Sequence, residues 1–208
     1  QGIRTTAYTN CTSVRSGGTA IVSGGSRLTF TGGRFIPFRK YTTGGTLLVT
    51  GEGSVITNAS RSTDRLFYDG VQDCTLRVTD GASVYVNGPY DIGYGSNSGN
   101  LMEVSNGGLL RFLGSSSVGL PYGSGRVNLK VLSGGTFVSS TKITFQKSGN
   151  LILVSNGTFR ATLNFGGSKN TVRVQGENAV YSPSGTTLFD NGAIGSLLEF
   201  GAGATWSV

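Results

Sequence analysis

Ten acidic side chains and not a single histidine narrow what this 208-residue chain can do chemically. Without His, the Ser-His and Cys-His nucleophilic pairs and the commonest general base are lost. Carboxylate chemistry is what remains. Asp64, Asp69 and Asp73, with Arg61 and Arg65 beside them, lie in or at the border of residues 60–72, the most charged excursion of the chain. Paired acids there, or an acid cluster holding calcium with a basic residue as base, could cleave a polysaccharide. The competing reading is a solvated loop whose opposite charges pair weakly. The calcium-binding Gly-Gly-x-Gly-x-Asp spacing is missing. Gly93-Tyr94-Gly95 has neither the third glycine nor the helix of a dinucleotide site and reads as a turn. Cys11 and Cys74, with no His, cannot fill a four-ligand zinc site. The residues therefore predict no catalytic centre, no metal and no cofactor.

Binding chemistry has one local candidate. Arg34, Arg39 and Lys40 interleave with Phe35, Phe38 and Tyr41, a basic-aromatic patch that could stack a sugar or a base. The same segment also suits the hydrophobic cap of an N-terminal rung. Seventeen Lys and Arg against ten Asp and Glu make the net charge +7, which favours acidic partners such as an anionic polysaccharide or another extracellular polymer. Asn10, Asn58 and Asn156 each begin an Asn-x-Ser/Thr acceptor pattern for glycosylation.

The elements that must position these residues are announced by a repeat. Thr75-Leu76-Arg77-Val78-Thr79-Asp80-Gly81-Ala82-Ser83-Val84 and Asn128-Leu129-Lys130-Val131-Leu132-Ser133-Gly134-Gly135 share one phrase: a strand, a small polar residue, glycine, then a second β-prone run. Eight copies can be followed, with Ser13-Val14-Arg15-Ser16-Gly17-Gly18 as a worn first one. Apolar and charged residues alternate within each strand, so one face turns to a core. The Asp-Gly, Asn-Gly or Gly-Gly that follows permits positive φ and a sharp corner. Copies are separated by unequal numbers of residues, which suits a parallel β-helix whose loops vary and not a helical repeat of set length. Stacking predicts one inner ladder through Val49, Val78, Val104, Val131, Val154, Val174 and Phe200. A second is predicted through Val55, Val84, Leu110, Phe137, Val180 and Trp206.

The stretch from Ile92-Gly93-Tyr94-Gly95 to Val104-Ser105-Asn106-Gly107-Gly108, and the ending Gly201-Ala202-Gly203-Ala204-Thr205-Trp206-Ser207-Val208, resemble repeats of bacterial autotransporter-type passengers and related surface β-solenoid proteins. The likeness covers roughly residues 44–208. It implies a right-handed parallel β-helix that is secreted or displayed on a cell surface, often as an adhesin. The expected architecture is accordingly all-β, a single domain of about eight irregular rungs. Residues 1–43 form an N-terminal arm and first rungs, and residues 44–208 the repeats.

A chain beginning at Gln1 rather than Met reads as a processed mature form or as a trimmed piece. Three functions fit: a secreted structural subunit that assembles head to tail with copies of itself, an adhesin or glycan-binding module, and a polysaccharide lyase or hydrolase. For assembly the candidate residues are Ile3, Tyr8 and Cys11 in an arm that adds to a neighbour, and Leu198, Phe200, Trp206 and Val208 in the last rung. Cys11 and Cys74 fall two or three rungs apart, beyond the ~7 Å reach of a disulfide, unless the N-terminal segment leaves the stack. Bridging between molecules and two free thiols are the other options.

Overall fold

The structure is a computed structural model that describes residues 5–8, 13–31, 35–58, 64–87, 90–93, 98–113, 118–120 and 127–207. Every strand pair among them is parallel, and no helix occurs among them. Three sheets run side by side along a β-solenoid. An eight-stranded sheet carries Thr19–Val22, Thr46–Thr50, Thr75–Thr79, Asn100–Val104, Val127–Leu132, Leu151–Ser155, Thr171–Gln175 and Leu197–Phe200. A nine-stranded sheet begins with Thr5–Tyr8 and Arg27–Phe30 and ends with Val180–Tyr181 and Thr205–Trp206. The third sheet has six strands, from Asp64–Phe67 to Leu188–Phe189.

Seven copies of the phrase supply seven of the eight strands of one sheet, and among the described residues only six turns also carry a strand on the third side. The solenoid therefore has about six full turns rather than eight rungs. That third side was hidden in the sequence: Asp64–Phe67 is a strand inside the segment read as a loop, and Tyr90–Gly93 is a strand that runs into the glycines read as a turn. Leu66, Phe67 and Ile92 are buried there. The first copy of the phrase also moves. Val22, not Val14, pairs with Val49, so the worn repeat is Thr19-Ala20-Ile21-Val22-Ser23-Gly24-Gly25.

The first ladder is as expected: Val49, Val78, Val104, Val131, Val154, Val174 and Phe200 are successive register partners. The second differs at three points. It runs Leu28, Ile56, Val84, Leu110, Phe137, Phe159, Tyr181 and Trp206. Where the corner keeps ordinary length, as from Val78 to Val84 or Val104 to Leu110, six residues separate the two ladders. An extra residue in the corners at 50–55 and 175–180 puts Ile56 and Tyr181 inside and turns Val55 and Val180 outward. A corner one residue shorter brings in Phe159. A slip of one residue exchanges the faces of a strand.

The corners have the predicted backbone. Asp80 and Gly81 sit at φ 55 and 76, Asn106 and Gly107 at 48 and 75, Ser133 and Gly134 at 44 and 77. The opposite corner, between the third and the eight-stranded sheet, holds a buried polar column that the repeat phrase did not reveal. Cys74, Asn100, Asn150, Asn170 and half-buried Ser196 occupy equivalent positions at the strand starts, with Val127 between Asn100 and Asn150. Asn150 Oδ1 accepts from the Val127 N–H at 3.1 Å, and its Nδ2 donates to Asn170 Oδ1 at 2.9 Å. Asn170 Oδ1 also accepts from the Asn150 N–H at 2.9 Å. These amides satisfy main-chain groups that the turn leaves unpaired. Asn150→Leu strands the Val127 N–H in a dry corner, so it is expected to cost about 2 kcal/mol in equilibrium unfolding. An unchanged midpoint would mean that another group takes over the Val127 N–H.

Candidate functional site

The basic-aromatic patch is divided by the fold. Phe35 and Phe38 are buried, and Phe38 stacks on Phe67 with ring centroids 5.4 Å apart. Both rings are core, which is the cap role and not a platform for sugar. Arg39, Lys40 and Tyr41 stay at the surface, and Arg34 lies outside the described residues. Lys40 Nζ is 3.5 Å from Asp69 Oδ2 and 4.9 Å from the centre of the Tyr41 ring. The Tyr41 side chain first, and Asp69 second, raise the Lys40 ammonium above its ordinary value. With Phe35 and Phe38 inside, Tyr41 is the aromatic ring of the patch left at the surface, beside Arg39 and Lys40.

Two acids of residues 60–73 have described side chains, Asp69 and Asp73. Asp69 faces Lys40, and Asp73 lies against Gly99, where its Oδ1 takes the space a side chain would need. The side chains of Asp64 and Arg65, and the whole of Arg61, are outside the described residues. Among the described residues no group of three or more His, Cys, Asp or Glu side chains is placed to hold a metal ion.

Cys74 is a free thiol buried within a turn. Its Sγ accepts from the Gly45 N–H at 3.2 Å and lies 3.5 Å from the Thr42 carbonyl oxygen. Burial pushes this thiol up, so it stays protonated and unreactive. A bridge from Cys74 to a neighbouring molecule would require opening the turn. Cys11 lies outside the described residues. Of the glycosylation candidates, Asn58 is fully buried and cannot accept a glycan in the folded chain, whereas Asn156 is exposed at a corner with φ 53. Asn10 falls outside the described residues.

The two ends of the solenoid carry the concentrated chemistry. Aromatic ladders run toward the C-terminal end: Phe137, Phe159 and Tyr181 stack in turn and reach Trp206, while Phe145 and Phe165 reach Phe189. Phe165 and Phe189 are 4.4 Å apart and nearly parallel. There the ladders break off in the open. Phe189 and Trp206 are each 52% exposed, Leu197 46% and Ile194 76%, around half-buried Leu198 and Phe200. Exposed apolar surface gathered in one place marks an interaction site. The edges of Leu197–Phe200, Thr205–Trp206 and Leu188–Phe189 are the outermost of their sheets at this end.

The opposite end is concave. A cavity of about 400 Å³ opens among Val14, Ala20, Val22, Leu28, Phe30 and Phe35. Ala20 fills less of the interior here than Leu47 and Leu76, its ladder partners in the next turns. Of the assembly candidates near it, Tyr8 lies on the Thr5–Tyr8 strand, which pairs along one edge with this chain's own Arg27–Phe30. Ile3, Cys11 and, at the far end, Val208 are outside the described residues.

Charge sorts between the same two ends. Residues 1–51 contain Arg4, Arg15, Arg27, Arg34, Arg39 and Lys40 and no acid, while residues 174–208 contain Glu177, Asp190 and Glu199 and no cation. The contrast between residues 1–51 and residues 174–208 is legible in the sequence alone. Two outward cations meet an acid of the next strand: Arg77 Nε is 3.0 Å from Glu103 and, toward the C-terminal end, Arg173 Nε is 2.8 Å from Glu199.

No protein-family model, curated protein or solved structure matches this chain. No helix among the described residues is long and apolar enough to cross a membrane.

Proposed function

We propose that this protein is a non-enzymatic, secreted structural subunit, a right-handed β-solenoid that stacks head to tail with copies of itself into an extracellular filament. The observation that carries the reading is the complementarity of its ends: an acidic face of exposed aromatic and aliphatic side chains at one, a basic face with an apolar cavity at the other. Both faces present an edge of each of the two large sheets. A contact between unlike faces does not close on itself, so its product is a filament. Right-handed winding is what parallel crossover connections overwhelmingly adopt. A surface rich in Gly, Ser, Thr and Asn with 13% charged residues, together with the likeness to autotransporter passengers, supports an extracellular setting. Outward cations that meet no acid among the described residues, such as Arg111 and Arg160, favour an anionic polysaccharide as a second partner.

The test is light scattering and electron microscopy of the purified chain over a range of protein and salt concentrations. Unbranched filaments are expected, weaker at high salt because the end charges are screened. Ile194→Lys with Leu197→Lys should keep the protein monomeric while its melting temperature stays within a few degrees. A chain that remains monodisperse at every concentration overturns the reading and leaves the adhesin in its place. Release of reducing sugar or unsaturated product from an anionic polysaccharide, abolished by Asp69→Ala or Asp73→Ala, would instead show an enzyme.

A further inference from the structure

The two ends of the solenoid are out of step by one strand, and that offset has a consequence for how copies meet. At the N-terminal end the nine-stranded sheet extends one strand beyond the eight-stranded sheet. Thr5–Tyr8 pairs with Arg27–Phe30, Thr5 opposite Arg27 and Tyr8 opposite Phe30, while the outermost strand of the eight-stranded sheet is Thr19–Val22. On the third side the chain runs beside the following turn, the Val14 N–H donating to Pro37 O and the Gly17 N–H to Thr43 O, both at 2.8 Å. At the C-terminal end the two large sheets finish together, in Leu197–Phe200 and Thr205–Trp206, and the third side stops one turn earlier, in Leu188–Phe189.

Consider a second copy brought onto this end with its strands parallel and in rung register. If its Thr5–Tyr8 keeps its place, that strand meets Thr205–Trp206 first. The incoming Thr19–Val22 is then held two strand spacings from Leu197–Phe200, roughly 9.6 Å, instead of one. A gap of the same size opens on the third side. Backbone N–H and C=O groups along both gaps are left unpaired, next to exposed apolar side chains that remain uncovered. If Thr5–Tyr8 leaves, everything moves up by one spacing. Arg27–Phe30 pairs with Thr205–Trp206, Thr19–Val22 with Leu197–Phe200, and the segment at 14–17 covers Leu188–Phe189. All three edges close in a single step, and Ala20, Val22 and Leu28 meet Leu198, Phe200 and Trp206 in the same ladders that run through the chain.

We infer that Thr5–Tyr8 is a guard strand: it caps the nine-stranded sheet in the isolated protein and must detach for a second copy of this chain to stack on the N-terminal face. This rests on the end-to-end reading above and adds its control step. The strand suits the role, being four residues long and joined to the solenoid along one edge only. It protects an open sheet edge until a partner with a matching edge displaces it.

Ala7 and Thr29 are register partners on adjacent parallel strands, within the Cα separation that a disulfide spans. The experiment compares Ala7→Cys/Thr29→Cys on a Cys11→Ser background, oxidised and reduced, with a chain lacking residues 1–8. Mass spectrometry confirms the bridge. The oxidised protein should stay monomeric and begin to assemble on reduction. The truncated chain should form filaments at a concentration at least tenfold lower than the intact one. Equal assembly of the oxidised and reduced forms overturns the guard strand, as does a truncated chain that no longer assembles, since the strand would then be the joint. If neither the intact, the reduced nor the truncated chain assembles, the end-to-end reading itself falls and this one with it.

Discussion

Val131→Asp is expected to leave no folded protein. Val131 is fully buried, with Val104 on one side and Val154 on the other in the first inner ladder. A carboxylate there faces aliphatic side chains above, below and across, with no cation or donor within the stack. Leaving a charge unpaired in such a place costs several kcal/mol even after its pKa has risen. The lost valine packing adds to that. Whole domains are stable by only about 5–15 kcal/mol, so one such substitution in the middle of a stack removes most or all of the margin. Far-ultraviolet circular dichroism should lose its strand signal, and the chain should elute as an unfolded or aggregated species. A variant with native spectrum and melting temperature would take Val131 out of the core.

Gly135→Ala should be severe for one methyl group. A Cβ at Gly135 would lie 2.3 Å from Val104 O and 2.6 Å from Val104 C, main-chain atoms of the neighbouring turn that cannot rotate away. Gly108 stands in the same relation to Val78, at 2.4 Å. Ala82 occupies the equivalent place one turn earlier, opposite Gly108 in the column, yet carries a methyl group. The difference lies in what each stacks on. Ala82 lies next to the corner at 50–55, which has an extra residue and is wider, whereas Gly108 and Gly135 each lie next to a corner of ordinary length. Forcing two turns apart at Gly135 is expected to cost about 3 kcal/mol, a fall in melting temperature of roughly 6–12 °C for a chain of this size. Ala82→Gly, which adds backbone freedom and removes one buried methyl group, should cost about 1–2 kcal/mol. Equal effects from the two substitutions would show that contact between turns is not what selects glycine.

Two of the three sides of the solenoid were readable because their signals are local. Leu76-Arg77-Val78 alternates, Asp80-Gly81 turns, and Val84 follows at fixed distance, so strand, corner and strand lie within ten consecutive residues. The third side lacks that phrase. Asp64–Phe67 begins with two charged residues and ends with the apolar pair Leu66 and Phe67, both buried. Nothing in it alternates, so composition pointed to a loop. The asparagine column was visible only as Ser98-Gly99-Asn100, Ser148-Gly149-Asn150 and Ser168-Lys169-Asn170. Polar residues after glycine read as turn until stacking shows that each amide bonds a group one turn away.

The candidate sites divide along the same line. Phe35 and Phe38 sit among Arg39, Lys40 and Tyr41 in sequence, but burial of a side chain is decided by the turn that covers it, and those two rings fell inside. Leu198, Phe200 and Trp206 could be named from the last repeat, because an inner position is inner in every copy. Their exposure could not, since it depends on whether another turn lies beyond them.

By itself the sequence determined that the chain is all-β, that its strands alternate between a dry and a wet face, and where its glycine corners fall. Period-two patterning and positive φ act over a few neighbouring residues, so a linear reading captures them. The tertiary structure alone decided the ladder to which Ile56, Phe159 and Tyr181 belong, the third sheet, and the offset between the two ends. Those depend on register between residues 20 to 30 positions apart, where one residue more or less in a corner exchanges inside for outside, and only the hydrogen bonds between turns record which was chosen.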